Sequence, residues 1–225
     1  MKIRTRRPIY VESRIKAPLN RLWEATQQPE QHRRWDARFG TITYLPRSHG
    51  ESQRFTYATT VAPGITIAGT GESLGDRDRA DGTRWSGLRF WAPDRRSIIE
   101  RGAGYWRYIP TERGVRFLTR YDYRPRWGRF GEIIDRLAFR PLFGWATAWS
   151  FDRLRLWLDE GIPPEVARNQ SIAHAAAVAG LAGVFGYQGL VPKVWKVDGG
   201  EVAIWEGLGL PHHRARAPGT RRRRS

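Results

Sequence analysis

Cysteine is absent from all 225 residues, which excludes disulfides, thiolate metal sites and a cysteine nucleophile. Lysine is nearly absent as well, with 4 Lys against 35 Arg. The N-terminal Met-Lys-Ile-Arg-Thr-Arg-Arg-Pro is basic but has no apolar h-region, so it does not read as a secretory signal. The first domain is therefore expected to stay in the cytoplasm. The five histidines are His32, His49, His174, His212 and His213, and none pairs with a second ligand at HExxH or comparable spacing. No metal and no cofactor are expected. The most informative shortage is local. From Asn169 to Pro192 there is no charged side chain, whereas elsewhere a charge recurs every few residues.

What is present is arginine and aromatic area. The net charge is +17, of which +5 follows residue 170. The arginines are scattered along the chain, whereas nucleic-acid binders concentrate basic charge in a stripe or on one helix. No nucleic-acid partner is expected. Anionic lipid fits such a basic chain better. Eleven Trp, eight Tyr and nine Phe are a heavy aromatic load for this length.

Ile9–Ile15 alternates, with Ile9, Val11, Ser13 and Ile15 on one face, as in a half-buried strand. Pro18 suits the first turn of a helix through Leu19, Leu22, Trp23 and Ala25. A second short helix follows Pro29, anchored by Trp35 and Phe39. Some eighty strand-like residues come next: Glu51–Thr60, Ile65–Leu74, Arg84–Trp91, Arg96–Glu100, Tyr105–Ile109 and Val115–Tyr123. In the last, Val115, Phe117, Thr119, Tyr121 and Tyr123 oppose Arg116, Arg120, Asp122 and Arg124, the pattern of a sheet with one covered and one wet face. A helical region spans Phe130–Leu158, and Pro141 is expected to kink or divide it. Its second half places Trp145, Trp149, Leu154, Trp157 and Leu158 near helical spacing.

This order predicts an α+β fold in which an antiparallel sheet curls around a long C-terminal helix and leaves a cavity between them. The opening Ile-Tyr-Val-Glu-Ser-Arg-Ile-Lys-Ala-Pro-Leu-Asn-Arg-Leu-Trp-Glu-Ala-Thr, with Pro29-Glu30 and Trp35-Asp36, resembles the START-like (SRPBCC) superfamily of polyketide cyclases/dehydratases and lipid-transfer proteins. The resemblance implies a helix-grip domain over about residues 1–165 that binds a hydrophobic or lipid-like small molecule.

Residues 171–191 are long enough to span a bilayer as a helix. Their seven Leu, Ile, Val and Phe residues contribute only about −2 to −4 kcal/mol to insertion. Ala175, Ala179 and Gly183 recur at four-residue spacing, a face on which a partner helix packs closely in lipid. Tyr187-Gln188-Gly189-Leu190-Val191-Pro192-Lys193, followed by Glu201-Val202-Ala203, resembles the start of DoxX-like membrane proteins. It implies a first transmembrane helix ending at the Gly-Leu-Val-Pro-Lys turn. Such domains have about four helices, so residues 166–210 read as a partial segment, and 211–225 as a basic, structureless, out-of-frame or truncated tail. The protein is expected at the cytoplasmic membrane, with residues 1–165 in the cytoplasm, although Lys193, Lys196 and the last arginines conflict with that orientation.

The expected cavity lining is Phe55, Tyr57, Phe117, Tyr121 and Tyr123 from the sheet, met by Trp145 and Trp149 from the long helix. A cyclase would also need a general acid or base. His32 and Asp36, near the expected cavity mouth, are the candidates, against the plainer reading of solvated helix-face residues. Asp122 and Arg120 fall on the wet face. The expected function is ligand binding by a membrane-tethered domain, with a cyclase/dehydratase-type enzyme and a non-catalytic regulatory membrane subunit as alternatives.

Overall fold

A computed structural model of the chain describes residues 7–62 and 64–195. The chain forms two compact units divided after Gln170. In the first, β1 (Ile9–Ile15) leads into α1 (Leu19–Gln27) and α2 (Pro29–Trp35). Six strands follow: β2 (Thr41–Tyr44), β3 (Arg54–Ala62), β4 (Ile65–Asp78), β5 (Arg84–Trp91), β6 (Ile99–Thr111) and β7 (Gly114–Pro125). They make one antiparallel sheet in the order β1-β7-β6-β5-β4-β3-β2. The α1–α2 pair therefore carries the chain from one sheet edge to the other.

The alternation in β1 and β7 fixes their pairing. Ile9 lies opposite Tyr121, Val11 opposite Thr119 and Ile15 opposite Val115, so the apolar sets of both strands share the inner face. The segments 96–100 and 105–109 are parts of one long strand, β6, which begins at Ile99 and has a register irregularity between Ile99 and Arg101. Gly102 and Gly104 lie inside that strand, where atoms of the neighbouring strands come too close to admit a Cβ.

After β7 come α3 (Gly128–Ile134), a π-helical segment (Asp135–Phe139) and α4 (Arg140–Glu160). The division expected at Pro141 falls just upstream of it. Proline offers no N–H to the carbonyl one turn back and crowds it. The helix widens before Pro141 and resumes with the proline in its first turn. Gly161, with φ of 72°, closes α4 in the left-handed conformation that glycine adopts without strain.

Two apolar clusters hold the inner face. One joins Ile15, Leu22, Trp35, Tyr108, Phe117, Phe151 and Leu154. The other joins Ile9, Ile98, Ile99, Tyr121 and Tyr123, with Phe139 and Phe143 packed against it. Arg153 of α4 ties the first cluster to the neighbouring backbone, donating to the Arg34 carbonyl at 2.6 Å and the Pro164 carbonyl at 3.3 Å.

α5 (Pro164–Trp195) starts in the first unit and continues into the second. Among the described residues no helix is long and apolar enough to cross a membrane. The reason lies in the side chains: six alanines and four glycines within 171–191 supply length without much apolar area. The turn expected at Gly189–Lys193 is helical, since α5 runs on to Trp195. Ala175, Ala179 and Gly183 are exposed on it. Glu201-Val202-Ala203 and the tail 211–225 lie outside the described residues.

Candidate functional site

Between the sheet and α4 lies a cavity of about 800 Å³, within the range of small-molecule sites. Much of its wall is aromatic: Phe55 and Tyr57 from β3, Phe90 from β5, Trp106 from β6, Tyr121 from β7 and Phe143 from α4. Glycine creates part of this space. Tyr57 pairs with Gly69 and Phe55 with Gly71 in the β3–β4 register. A Cβ at either glycine would sit inside the ring of its partner. The rings therefore lie down on the neighbouring strand instead of standing into the cavity.

The polar part of the wall grows from the end of α2. Asp36 caps the C-terminus of α2 and is 1% exposed. Arg38 grips it with two bonds, Nε to Oδ1 at 2.9 Å and Nη2 to Oδ2 at 2.6 Å. His32 Nε2 lies 3.0 Å from Oδ2. From α4, Ser150 Oγ accepts the Ala37 N–H at 2.9 Å and donates to the Ala146 carbonyl at 2.7 Å. Burial would raise the Asp36 carboxyl, but the Arg38 charge and hydrogen bonds, with the His32 bond, overcome it and hold it well below the usual carboxylate range.

An ionised carboxylate only accepts, so His32 Nε2 must be the donor. In the neutral ring, Nδ1 then carries the lone pair. The ring is fixed by aromatics, stacked on Trp35 at 5.0 Å and met edge-on by Trp106 at 5.0 Å and Phe39 at 5.4 Å. His32 and Arg38 both line the cavity, while Asp36 stands behind them.

Arg38 has donors beyond those that Asp36 takes. Its guanidinium carbon is 5.4 Å from the Phe39 ring, 5.6 Å from Tyr121 and 5.7 Å from Phe143. Thr147 Oγ1 donates to the Phe143 carbonyl at 2.8 Å, so across the 2.6 Å contact with Tyr121 it must accept the phenol proton. The Tyr121 oxygen is left to accept from Arg38. Burial raises the Tyr121 phenol and pushes Tyr57 up to about 12, so both stay protonated at neutral pH. This wall can hold an oxygen or an anionic end of a greasy molecule.

Of the residues expected to line the cavity, Phe55, Tyr57 and Tyr121 do so. Phe117 is fully buried beneath it, stacked on Phe151 at 4.6 Å. Tyr123 is buried in the second cluster, where its hydroxyl donates to Asp135 at 2.7 Å and Arg140 covers its ring. Trp145 is 60% exposed and stacks on Trp149 at 5.5 Å, away from the lining. Asp36 is not a solvated helix-face residue, because its ion pair with Arg38 and bond to His32 permit its burial. Arg38 and Phe143 were not singled out in sequence. The nearest signal was Trp35-Asp36-Ala37-Arg38, an acid and a base two residues apart beside a helix end. Among the described residues no cluster of three His, Asp or Glu side chains could hold a metal.

The first unit has a helix-grip fold, an antiparallel seven-stranded sheet packed around the long helix α4. Among solved structures it resembles the protein TTHA0849 of Thermus thermophilus, with TM-score 0.50 and 18% identity over 73% of this chain and 99% of that one. It also resembles a STAR-related lipid transfer protein from Xanthomonas axonopodis, with TM-score 0.50 and 17% identity over 66% of this chain and 84% of that one. In sequence the chain is 48% identical over 160 residues to YndG of Bacillus subtilis (strain 168), described as an uncharacterized membrane protein. The match covers 71% of this chain and 60% of that protein. No family model matches the chain.

Proposed function

We propose that the first unit binds a hydrophobic or lipid-like small molecule in the cavity between the sheet and α4. The observation that carries this reading is the cavity itself: about 800 Å³, with aromatic rings along its wall and Arg38 beside Tyr121 as an internal polar point. Such a site orients an amphipathic ligand by one oxygen and buries the rest. The lipid-transfer neighbour has the same fold, which supports the reading at the level of architecture.

Membrane association is part of the proposal. It draws on the description of the Bacillus subtilis relative and on the uncharged run of α5. The soluble unit lies on the cytoplasmic side, and the face Ala175, Ala179 and Gly183 takes a partner helix. Extraction of the purified full-length protein, followed by mass spectrometry, should recover a bound lipid or other apolar molecule in stoichiometric amount. An empty cavity that also fails to bind fatty acids, isoprenoids or apolar dyes would sink it. Recovery in the soluble fraction after ultracentrifugation without detergent would overturn the membrane part.

A second reading is favoured by one observation, the His32–Asp36 hydrogen bond at the cavity wall. It fixes the imidazole with a basic nitrogen available, as a general base requires. In a cyclase/dehydratase-type reaction His32 would move the proton and Asp36 would orient it. Turnover of a polyketide substrate, lost in His32→Ala with ligand affinity retained, would establish this reading over simple carriage.

A further inference from the structure

The segment that walls the helical side of the cavity shows apolar side chains to both sides. Inward, Phe139, Phe143 and Ala146 line the cavity. Outward, Phe130 is 66% exposed, Ile133 58%, Leu137 74%, Leu142 62% and Trp145 60%. These outer residues recur at steps of three, four, five and three, and Trp149 follows four later. Steps of three and four keep one helical face. The step of five leaves the π segment, whose wider turn takes up the extra residue. The result is a continuous apolar strip along α3, the π segment and the first half of α4. At its head Trp127 has φ of 66°, rare for a residue with a side chain, and is 45% exposed.

Soluble surfaces seldom show such a run of large apolar residues without a partner. The charge around it says which partner. Arg95, Arg129 and Arg136 are exposed beside the strip, and Trp127 Nε1 reaches the Arg95 carbonyl at 3.3 Å. From residue 126 to 149 the acidic residues are Glu132 and Asp135, and Asp135 is buried under Arg140. A second copy of a chain of net charge +17 would meet its own repulsion. An anionic bilayer offers apolar depth for the strip, a headgroup layer for Trp127 and countercharge for the arginines.

We propose that this outer face, from Trp127 to Trp145, docks the first unit on anionic lipid. Leu142 belongs to both the strip and the cavity lining, so docking puts that part of the cavity wall at the lipid surface. The surface is built from the first unit alone and needs no ligand in the cavity.

The cysteine-free chain makes the test direct. An environment-sensitive fluorophore is attached to full-length Leu137→Cys, and to Glu112→Cys in the β6–β7 turn for comparison. Vesicles of phosphatidylcholine with phosphatidylglycerol are then added. A blue shift and intensity rise at position 137, absent at 112 and weakened by salt, is the expected result. Arg129→Glu with Arg136→Glu should lower vesicle partitioning about tenfold or more while circular dichroism stays unchanged. No response at 137 overturns the proposal, whether or not the protein binds the vesicles, since binding would then run through another segment. A concentration-dependent shift at 137 without vesicles also overturns it, in favour of a second copy.

Discussion

The two halves of α4 belong to one helix and do opposite work. Toward its C-terminus, Thr147, Ser150, Phe151 and Leu154 are buried, and Phe151 meets Trp35 and Phe117 in a close-packed aromatic cluster. Toward its N-terminus, Phe143 lines a cavity and Leu142 and Trp145 stand in solvent. The apolar content of the two halves is similar. What differs is what the sheet presents. Opposite the C-terminal half it offers Phe117, Tyr108 and Val115, which fill the space. On β3 and β4 it sets rings over glycines, which leaves the space open. One end therefore stores stability, and the other keeps room for a ligand.

The largest expected effect follows from that division. Phe151→Ala removes a ring that is 1% exposed from a solid cluster, and should cost about 3–5 kcal/mol in chemical denaturation. Phe143→Ala removes a half-buried ring beside a cavity that already exists, and should cost about 1–2 kcal/mol while changing ligand affinity more than stability. Equal destabilisation by the two would erase the distinction between the ends.

A second, smaller effect isolates the glycine device. Gly69→Val puts a branched side chain where the Tyr57 ring lies, so the ring must stand up into the cavity. Binding of an amphipathic dye such as anilinonaphthalene sulfonate should weaken about tenfold, equivalent to ~1.4 kcal/mol. The midpoint of thermal unfolding should move little, because valine suits a strand better than glycine does. Unchanged dye affinity would mean that Tyr57 finds space elsewhere.

Sequence carried the closed end better than the open one. Alternation in β1 and β7 and the proline-led starts of α1 and α2 are local patterns, and the structure follows them. Phe117 and Tyr123 share a strand face with Tyr121, yet only Tyr121 reaches the cavity. Period-two alternation tells which face a residue takes, not how far along the sheet the core ends. Trp145 failed as a lining residue for a related reason: helical spacing gives a stripe, and the π segment shifts which stripe faces inward. Arg38 was hidden because its role depends on burial with Asp36, which no spacing rule reports. The strand at Ile65–Leu74 was legible with Gly69 and Gly71 inside it, but the use of those glycines depends on cross-strand partners that spacing does not reveal.

The smallest expected effect tests how the closed end is fastened. Arg34 at the end of α2 donates to both Glu165 oxygens, at 2.8 and 3.1 Å, and so joins α2 to the start of α5. The Arg34 hydrogen bond is the main reason the Glu165 carboxyl falls to about 2 from its ordinary 4.5. A carboxyl depressed on folding contributes stability above its unfolded value and loses it as pH falls through the folded one. Both partners are well exposed, so water screens the pair and its worth is about 0.2–1 kcal/mol. Glu165→Gln should therefore lie below wild type by that amount at pH 6. The gap should narrow between about pH 4.5 and about pH 2 and close below that. Denaturation of both proteins across this range measures the gap directly. A difference that persists well below pH 2 would assign the effect to packing of the side chain and not to its charge.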